Sequence, residues 1–287
     1  MNPSRPPRRT RTQLRRRRPA EPPEVRVPAT RSREFPAPDK VWLYGRHAVA
    51  AALANPRRRW RRLAVLAPHL AEAEALVTHA AAPRRGDGEK LQVLDRDGFA
   101  ALLPPDAVHQ GLALEVEPLA APDLAEVLRQ TQTAPPPCVI LALDQVSDPH
   151  NIGAVVRSAA AFSALAVILV ARSAPPLAGA VAKAASGALE QVPLLRVVNL
   201  ARTLEQLQVA GFWVCGLDET ATLDLAQLDL GDRIVLVLGS EGTGMRRLVR
   251  EQCDHVARLP TRAPLATLNV SNAAAIALYE ITRRGSA

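Results

Sequence analysis

Residues 139–143, 166–170, 212–217 and 233–238 form short runs that are apolar at nearly every position. A strand with one wet face alternates polar and apolar residues. These do not, so both faces must be covered, which is the signature of a parallel sheet sandwiched between helices. Helical patterns at 152–161, 177–188, 200–210, 245–251 and 270–283 alternate with the runs and supply the cover. An α/β domain built on a parallel sheet is therefore expected over 138–287. A second, smaller α/β unit is expected over 41–118. It has helices at 45–54, 70–81 and 95–103 and strands at 63–67, 91–94 and 112–116. Residues 119–137 lie between the two units. They carry an amphipathic piece at 123–130 and then Pro135-Pro136-Pro137, which can neither continue a helix nor enter a central strand. A linker is expected there. A chain of 287 residues has room for two such units.

The charge is unevenly placed. The chain carries 36 Lys+Arg and 28 Asp+Glu, a net of +8. Residues 1–40 alone hold 12 basic and 4 acidic side chains and nine of the 25 prolines, so the rest is neutral. This leading segment lacks the apolar surface to offset chain entropy and reads as a disordered basic tail. It is either an arm for phosphate backbones or a solubilising extension. Its acidic residues and prolines argue against a transit peptide, and it has no apolar stretch of a secretory signal. No apolar run reaches the roughly 18 residues of a membrane span. Cys138, Cys215 and Cys253 are odd in number and widely spaced, which fits neither a disulfide framework nor a metal site. A reducing, cytoplasmic setting is expected.

Three polar loops of the second unit follow buried strands, where open α/β sheets bind ligands. The first runs 144–153, Asp-Gln-Val-Ser-Asp-Pro-His-Asn-Ile-Gly, with Asn151 a candidate helix cap. It leads to Arg157 on an Ala- and Val-rich helix. Arg157 serves either chemistry or an ion pair with Asp144 or Asp148. The second, 239–244, reads Gly-Ser-Glu-Gly-Thr-Gly and is neither a phosphate-binding P-loop nor a dinucleotide fingerprint. The third spans 259–272 and contains Thr267, Asn269 and Ser271 ahead of the last helix. In the first unit Arg57, Arg58, Arg59, Arg61 and Arg62 flank Trp60. Arginines grip phosphates and tryptophan stacks on unpaired bases; an anchoring Trp at a solvated helix–strand junction is the alternative.

In their order and spacing the three loops resemble the motifs of the SpoU/TrmH branch of the SPOUT methyltransferases. Segments 44–49, 109–111, 183–190 and 198–203 are similar to its ribosomal-RNA subgroup. The resemblance covers 41–283. It implies a doubly wound α/β sheet whose C-terminal segment is threaded as a trefoil knot, preceded by a small ribosomal-protein-like α/β RNA-binding domain. It also implies methyl transfer from S-adenosylmethionine to the ribose 2′-oxygen of a guanosine in 23S ribosomal RNA, and a homodimer formed through the knotted domain whose sites take residues from both subunits. The implied catalytic set is Arg157, Asn151, Glu241, Asn269 and Thr267, with Thr267 standing where the family has serine. The implied cofactor contacts are Leu238, Gly239, Gly244, Leu259, Leu268 and Asn269. RNA contacts fall to Arg58, Arg59, Trp60 and Arg61, and no metal is implied. A guanidinium stays protonated at neutral pH, so Arg157 is expected to stabilise the developing alkoxide rather than remove its proton. Transfer-RNA methylation and a non-enzymatic ribosome-assembly role on the same fold are the alternatives. A nicotinamide-dependent oxidoreductase is disfavoured because no glycine fingerprint follows the first strand.

Overall fold

The computed structural model describes residues 40–85, 90–262 and 267–285. The basic tail read at 1–40 lies outside them apart from Lys40. The first unit runs β1 (Val41–Tyr44), α1 (Arg46–Ala54), β2 (Trp60–Leu66), α2 (Leu70–Thr78), β3 (Leu91–Leu94), α3 (Arg96–Leu102) and β4 (Leu112–Val116). Its sheet has the order β1-β4-β2-β3, with β4 antiparallel to both neighbours and β2 parallel to β3. Within the expected linker, α4 (Leu124–Gln130) is capped by Asp123 and buries Leu124 and Val127 against the second sheet. The amphipathic piece thus belongs physically to the second unit.

That unit runs β5 (Cys138–Asp144), α5 (Pro149–Ala161), β6 (Ala166–Val170), α6 (Ala180–Ala185), β7 (Leu194–Val197), α7 (Leu200–Val209), β8 (Trp213–Leu217), β9 (Leu223–Asp224), β10 (Arg233–Gly239), α8 (Arg247–Glu251), β11 (His255–Arg258) and α9 (Val270–Gly285). The strands form one sheet in the order β7-β6-β5-β10-β8-β11-β9, and every pairing is parallel. β5 is buried at every position, as its unbroken apolar run requires. The chain winds outward from β5 through β6 to β7, then crosses to the β10 side. Adjacent strands β5 and β10 therefore flank the topological switch, where a crevice opens at the strand C-termini.

The two units share apolar packing. Leu43, Val49 and Ala52 of the first lie in the same core as Val181, Ala185 and Leu189 of the second. The helix expected over 177–188 is shorter, because Ser186 (φ 49°) and Gly187 (φ 92°) turn left-handed and end it. Trp60 is buried, with its indole N–H donating to the Ala82 carbonyl at 3.0 Å. Trp213 is about half exposed and stacks on His255 with ring centroids 5.5 Å apart.

Candidate functional site

The site is built where β5 and β10 end. Asp148, not Asn151, caps α5: its carboxylate accepts from the backbone N–H groups of His150 (3.2 Å) and Asn151 (3.1 Å), and Pro149 holds the first helical position. Relieved of capping, the Asn151 side chain points across to the second loop and donates Nδ2–H to Glu241 Oε1 at 3.1 Å. Asn269 donates to the same oxygen at 2.7 Å and to Asn151 Oδ1 at 2.9 Å. Its own Oδ1 accepts from the Ser271 backbone N–H (2.9 Å) and hydroxyl (2.6 Å), which fixes its orientation at the start of α9. Three loops far apart in sequence thus close one polar cluster on the protein surface.

The second loop is shaped by its glycines. A Cβ on Gly239 would lie 2.2 Å from the Gly244 carbonyl carbon and 2.3 Å from the Met245 nitrogen, so the loop folds back tightly over the end of β10. Gly242 (φ 83°) and Gly244 (φ 65°) take the left-handed conformation that this return needs. Ser240 and Gly244 exchange backbone hydrogen bonds, and the Ser240 and Thr243 hydroxyls meet at 2.6 Å. Asp144 anchors the far end. This fully buried carboxylate accepts from the backbone N–H (2.7 Å) and Nε (2.8 Å) of Arg246. Sequence reasoning missed this pair; an acidic residue ending an apolar strand was its signal.

The remaining candidates divide. Leu259 is half-buried and packs on the core, and Leu268 is exposed, so both present apolar surface beside the cluster's loops. The Leu238 side chain is buried in the sheet, which leaves only its main chain for a ligand. Thr267 is exposed and lies outside the bonded cluster; residues 263–266 of the same loop are outside the described part. Arg157 is exposed. Its described hydrogen bond runs from Nη1 to the Ser186 hydroxyl at 3.5 Å, not to the cluster. Neither anticipated ion pair forms, because Asp144 holds Arg246 and Asp148 caps α5. Six residues separate Asn151 from Arg157, roughly 9 Å of rise and about 240° of rotation, so they face different sides of α5.

Two of the RNA-contact candidates are corrected. Arg58 is only 3% exposed and paired with Glu190, and Trp60 is equally buried, so neither can meet a nucleotide in this fold. The anchoring alternative holds for Trp60. Arg59 and Arg61 reach the surface, where both approach Glu117 at 3.8 Å.

Burial pushes the thiols of Cys215 and Cys253 up to about 12, so neither is a thiolate nucleophile at neutral pH. Burial also lowers the Lys183 ammonium, whose Nζ donates to Gln110. The His109 imidazole is lowered by burial and then by His69. Among the described residues no group of acidic, His and Cys side chains could hold a metal, and no helix is long and apolar enough to cross a membrane.

Comparison with known proteins places the chain. The SpoU rRNA methylase family matches residues 138–279, and the RNA 2′-O ribose methyltransferase substrate-binding family matches 42–122. A 23S rRNA (guanosine-2′-O-)-methyltransferase of Pseudomonas aeruginosa is 41% identical over 84% of this chain and 96% of its own length. A Bacillus subtilis protein described as a putative TrmH family tRNA/rRNA methyltransferase is 32% identical over 85% of this chain and 95% of its own. Among solved structures, the SpoU methyltransferase AviRb of Streptomyces viridochromogenes superimposes with a TM-score of 0.71 at 21% identity, covering 86% of this chain and 90% of that one.

Proposed function

Because the chain belongs to the SpoU rRNA methylase family of RNA 2′-O-ribose methyltransferases, we propose that it methylates the ribose 2′-oxygen of a guanosine in 23S ribosomal RNA, using S-adenosylmethionine. The observation that carries this reading is the bonded cluster of Asn151, Glu241 and Asn269 at the sheet's switch point. The substrate follows the Pseudomonas relative, which aligns along nearly its whole length. The separate first domain favours ribosomal over transfer RNA, because the transfer-RNA branch carries short terminal extensions instead.

The residues present suit the cofactor. Gly239 leaves no room for a side chain where the loop folds back, Gly242 and Gly244 expose main chain, and Leu259 and Leu268 offer apolar faces for an adenine. These groups, the main chain of Leu238 and Asn269 would hold it. When bound, S-adenosylmethionine supplies an electrophilic methyl group on a sulfonium. The protein's task is to set the ribose oxygen in line with that methyl and to offset the charge the oxygen gains. Arg157 stabilises the developing alkoxide and grips the neighbouring phosphate through its planar fork. Both amide bonds to Glu241 fall on Oε1, so among the described contacts Oε2 is left for a donor on the target nucleotide. Thr267 supplies a hydroxyl beside the cluster, and Arg59 and Arg61 contact RNA on the first domain.

Arg157 stands apart from the cluster within one chain, which supports a homodimer in which it completes the partner's site. α9 supports the same arrangement. It buries Ala274, Ala277 and Leu278 against its own domain while leaving Ile276 and Tyr279 exposed. A trefoil knot is also part of this reading. After β11 the chain returns past the 239–244 loop to pack α9 on α5, and Asn269 is bonded to that loop on the way.

Labelled S-adenosylmethionine, incubated with the protein and either ribosomal or transfer RNA, followed by mapping of the product, tests the function. A single 2′-O-methylguanosine in 23S RNA is expected. Label confined to transfer RNA would replace the substrate, and cofactor binding without label on any RNA would favour the assembly role.

A further inference from the structure

We propose that Glu190 is a positioning residue that determines which nucleotide is methylated, by locking the RNA-binding domain to the domain that carries Arg157. The proposal rests on the RNA-methylation reading above. Glu190 closes the 3₁₀ turn Ala188–Glu190 and is buried, and the hydrogen bonds described for its carboxylate all come from the other domain. Asn55 donates to Oε2 at 2.7 Å. Arg58 Nε bridges Oε1 and Oε2 at 3.2 and 3.1 Å, and Nη2 meets Oε1 at 2.5 Å. Arg57 donates to the Glu190 main-chain oxygen at 3.2 Å, and Arg58 Nη1 ties the claw back to the Glu117 carbonyl at 3.0 Å.

A buried ion pair is a poor device for stability, because desolvating both charges cancels much of their attraction. It is a good device for geometry. A planar guanidinium gripping both oxygens of a carboxylate fixes distance and angle together. The residues just before Glu190 lie against the first domain as well. A Cβ on Gly187 would stand 2.6 Å from the Ala51 Cβ and 3.3 Å from the His47 carbonyl oxygen, and Lys183 bonds Gln110. Between these contacts sits Ser186, the hydrogen-bond partner of Arg157. The segment 183–190 therefore touches the first domain at Lys183, Gly187 and Glu190 and touches Arg157 at Ser186. RNA held by the first domain is thereby presented at a set distance from the methyl-transfer site. That makes the lock a ruler, and the nucleotide at the end of the ruler is the one modified.

The test replaces both charges by apolar side chains of similar length, Arg58→Met with Glu190→Met, in the full chain. Product mapping on 23S RNA, the RNA KM, S-adenosylmethionine affinity and small-angle X-ray scattering are compared with wild type. The expected result is unchanged cofactor affinity, a broadened scattering envelope, a raised RNA KM and methylation spreading to neighbouring nucleotides, with selectivity falling about tenfold. A superimposable scattering profile, or one unchanged methylation site with unchanged KM, would overturn the proposal whatever happens to the melting temperature. Should the double variant fail to fold, Glu190→Gln keeps one acceptor oxygen and is read in the same way. If wild-type protein labels no RNA, the parent reading fails, while scattering still decides whether the lock exists.

Discussion

Arg157 is the residue proposed to stabilise the developing alkoxide, and its described hydrogen bond goes to the Ser186 hydroxyl rather than to a carboxylate, which fits a task in which its charge must stay available. If it stabilises a developing alkoxide through forked geometry, Arg157→Lys should lower single-turnover kcat by about 10² or more and leave S-adenosylmethionine affinity unchanged. Near-normal turnover with lysine would show that charge alone suffices. His109 makes a separate prediction. It stacks on Phe99 with centroids 4.5 Å apart and accepts the Gly111 N–H at Nδ1 (3.1 Å), an arrangement for neutral imidazole. Its pKa is lowered on folding, so the unfolded chain binds the proton more tightly. Its contribution is present above the unfolded value of about 6.5 and is lost as pH falls below it. Melting temperatures measured from pH 7.5 to 5 should fall less steeply in His109→Gln than in wild type. Parallel curves would remove His109 from the account. At this scale Asn151, Glu241 and Asn269 came together as a set only through the family resemblance, because a polar residue after an apolar strand can equally serve as a helix cap or a turn. The bonds that join the three lie between loops and leave no local pattern. Arg58 was not legible. Arginines crowded into a few positions read as a wet surface, and what buried this one is a glutamate 132 residues away.

Among the elements, the strands with the longest apolar runs were visible in the sequence, as were β2, β3 and β4 of the first unit, while β1, β7, β9 and β11 were not. β5, β6, β8 and β10 have interiors that only a covered sheet explains. β1 is four residues long, while β7 and β11 are equally short and carry Arg196, His255 and Arg258, so their patterns resemble loops. The shortened α6 shows a related limit. An alanine-rich stretch has no strong periodicity, so its end is set by the left-handed step at Ser186 and Gly187. The turn after β10 is closed directly against main chain. Gly239→Ala places a Cβ against main-chain atoms of Gly244 and Met245, which cannot swing aside as a side chain can. It should weaken S-adenosylmethionine binding at least about tenfold, with a stability loss of about 1–3 kcal/mol. Calorimetric titration and denaturant unfolding measure the two effects. Cofactor affinity equal to wild type would show that this turn does not shape the pocket.

For the whole molecule, the two-domain plan and the α/β class followed from length, the proline triplet and the change in apolar run length at residue 138. The relation between the domains did not follow, because it depends on pairings such as Arg58 with Glu190 that no local pattern encodes. The proposed homodimer is tested at this scale. Ile276 and Tyr279 leave an apolar face of α9 open to solvent. Tyr279→Glu should shift the protein toward monomer in analytical ultracentrifugation, because a carboxylate resists burial without a partner. It should also lower methylation if Arg157 acts on the partner's site. A dimer that survives the change would place the interface elsewhere.

The chain's three indoles report on its two halves separately. Trp42, beneath the Arg62 guanidinium, and sequestered Trp60 belong to the first domain; water-facing Trp213 belongs to the second. Selective excitation of single-tryptophan variants would follow each half through a titration without any attached dye. The protein is thus its own optical gauge of whether the halves melt together or one after the other.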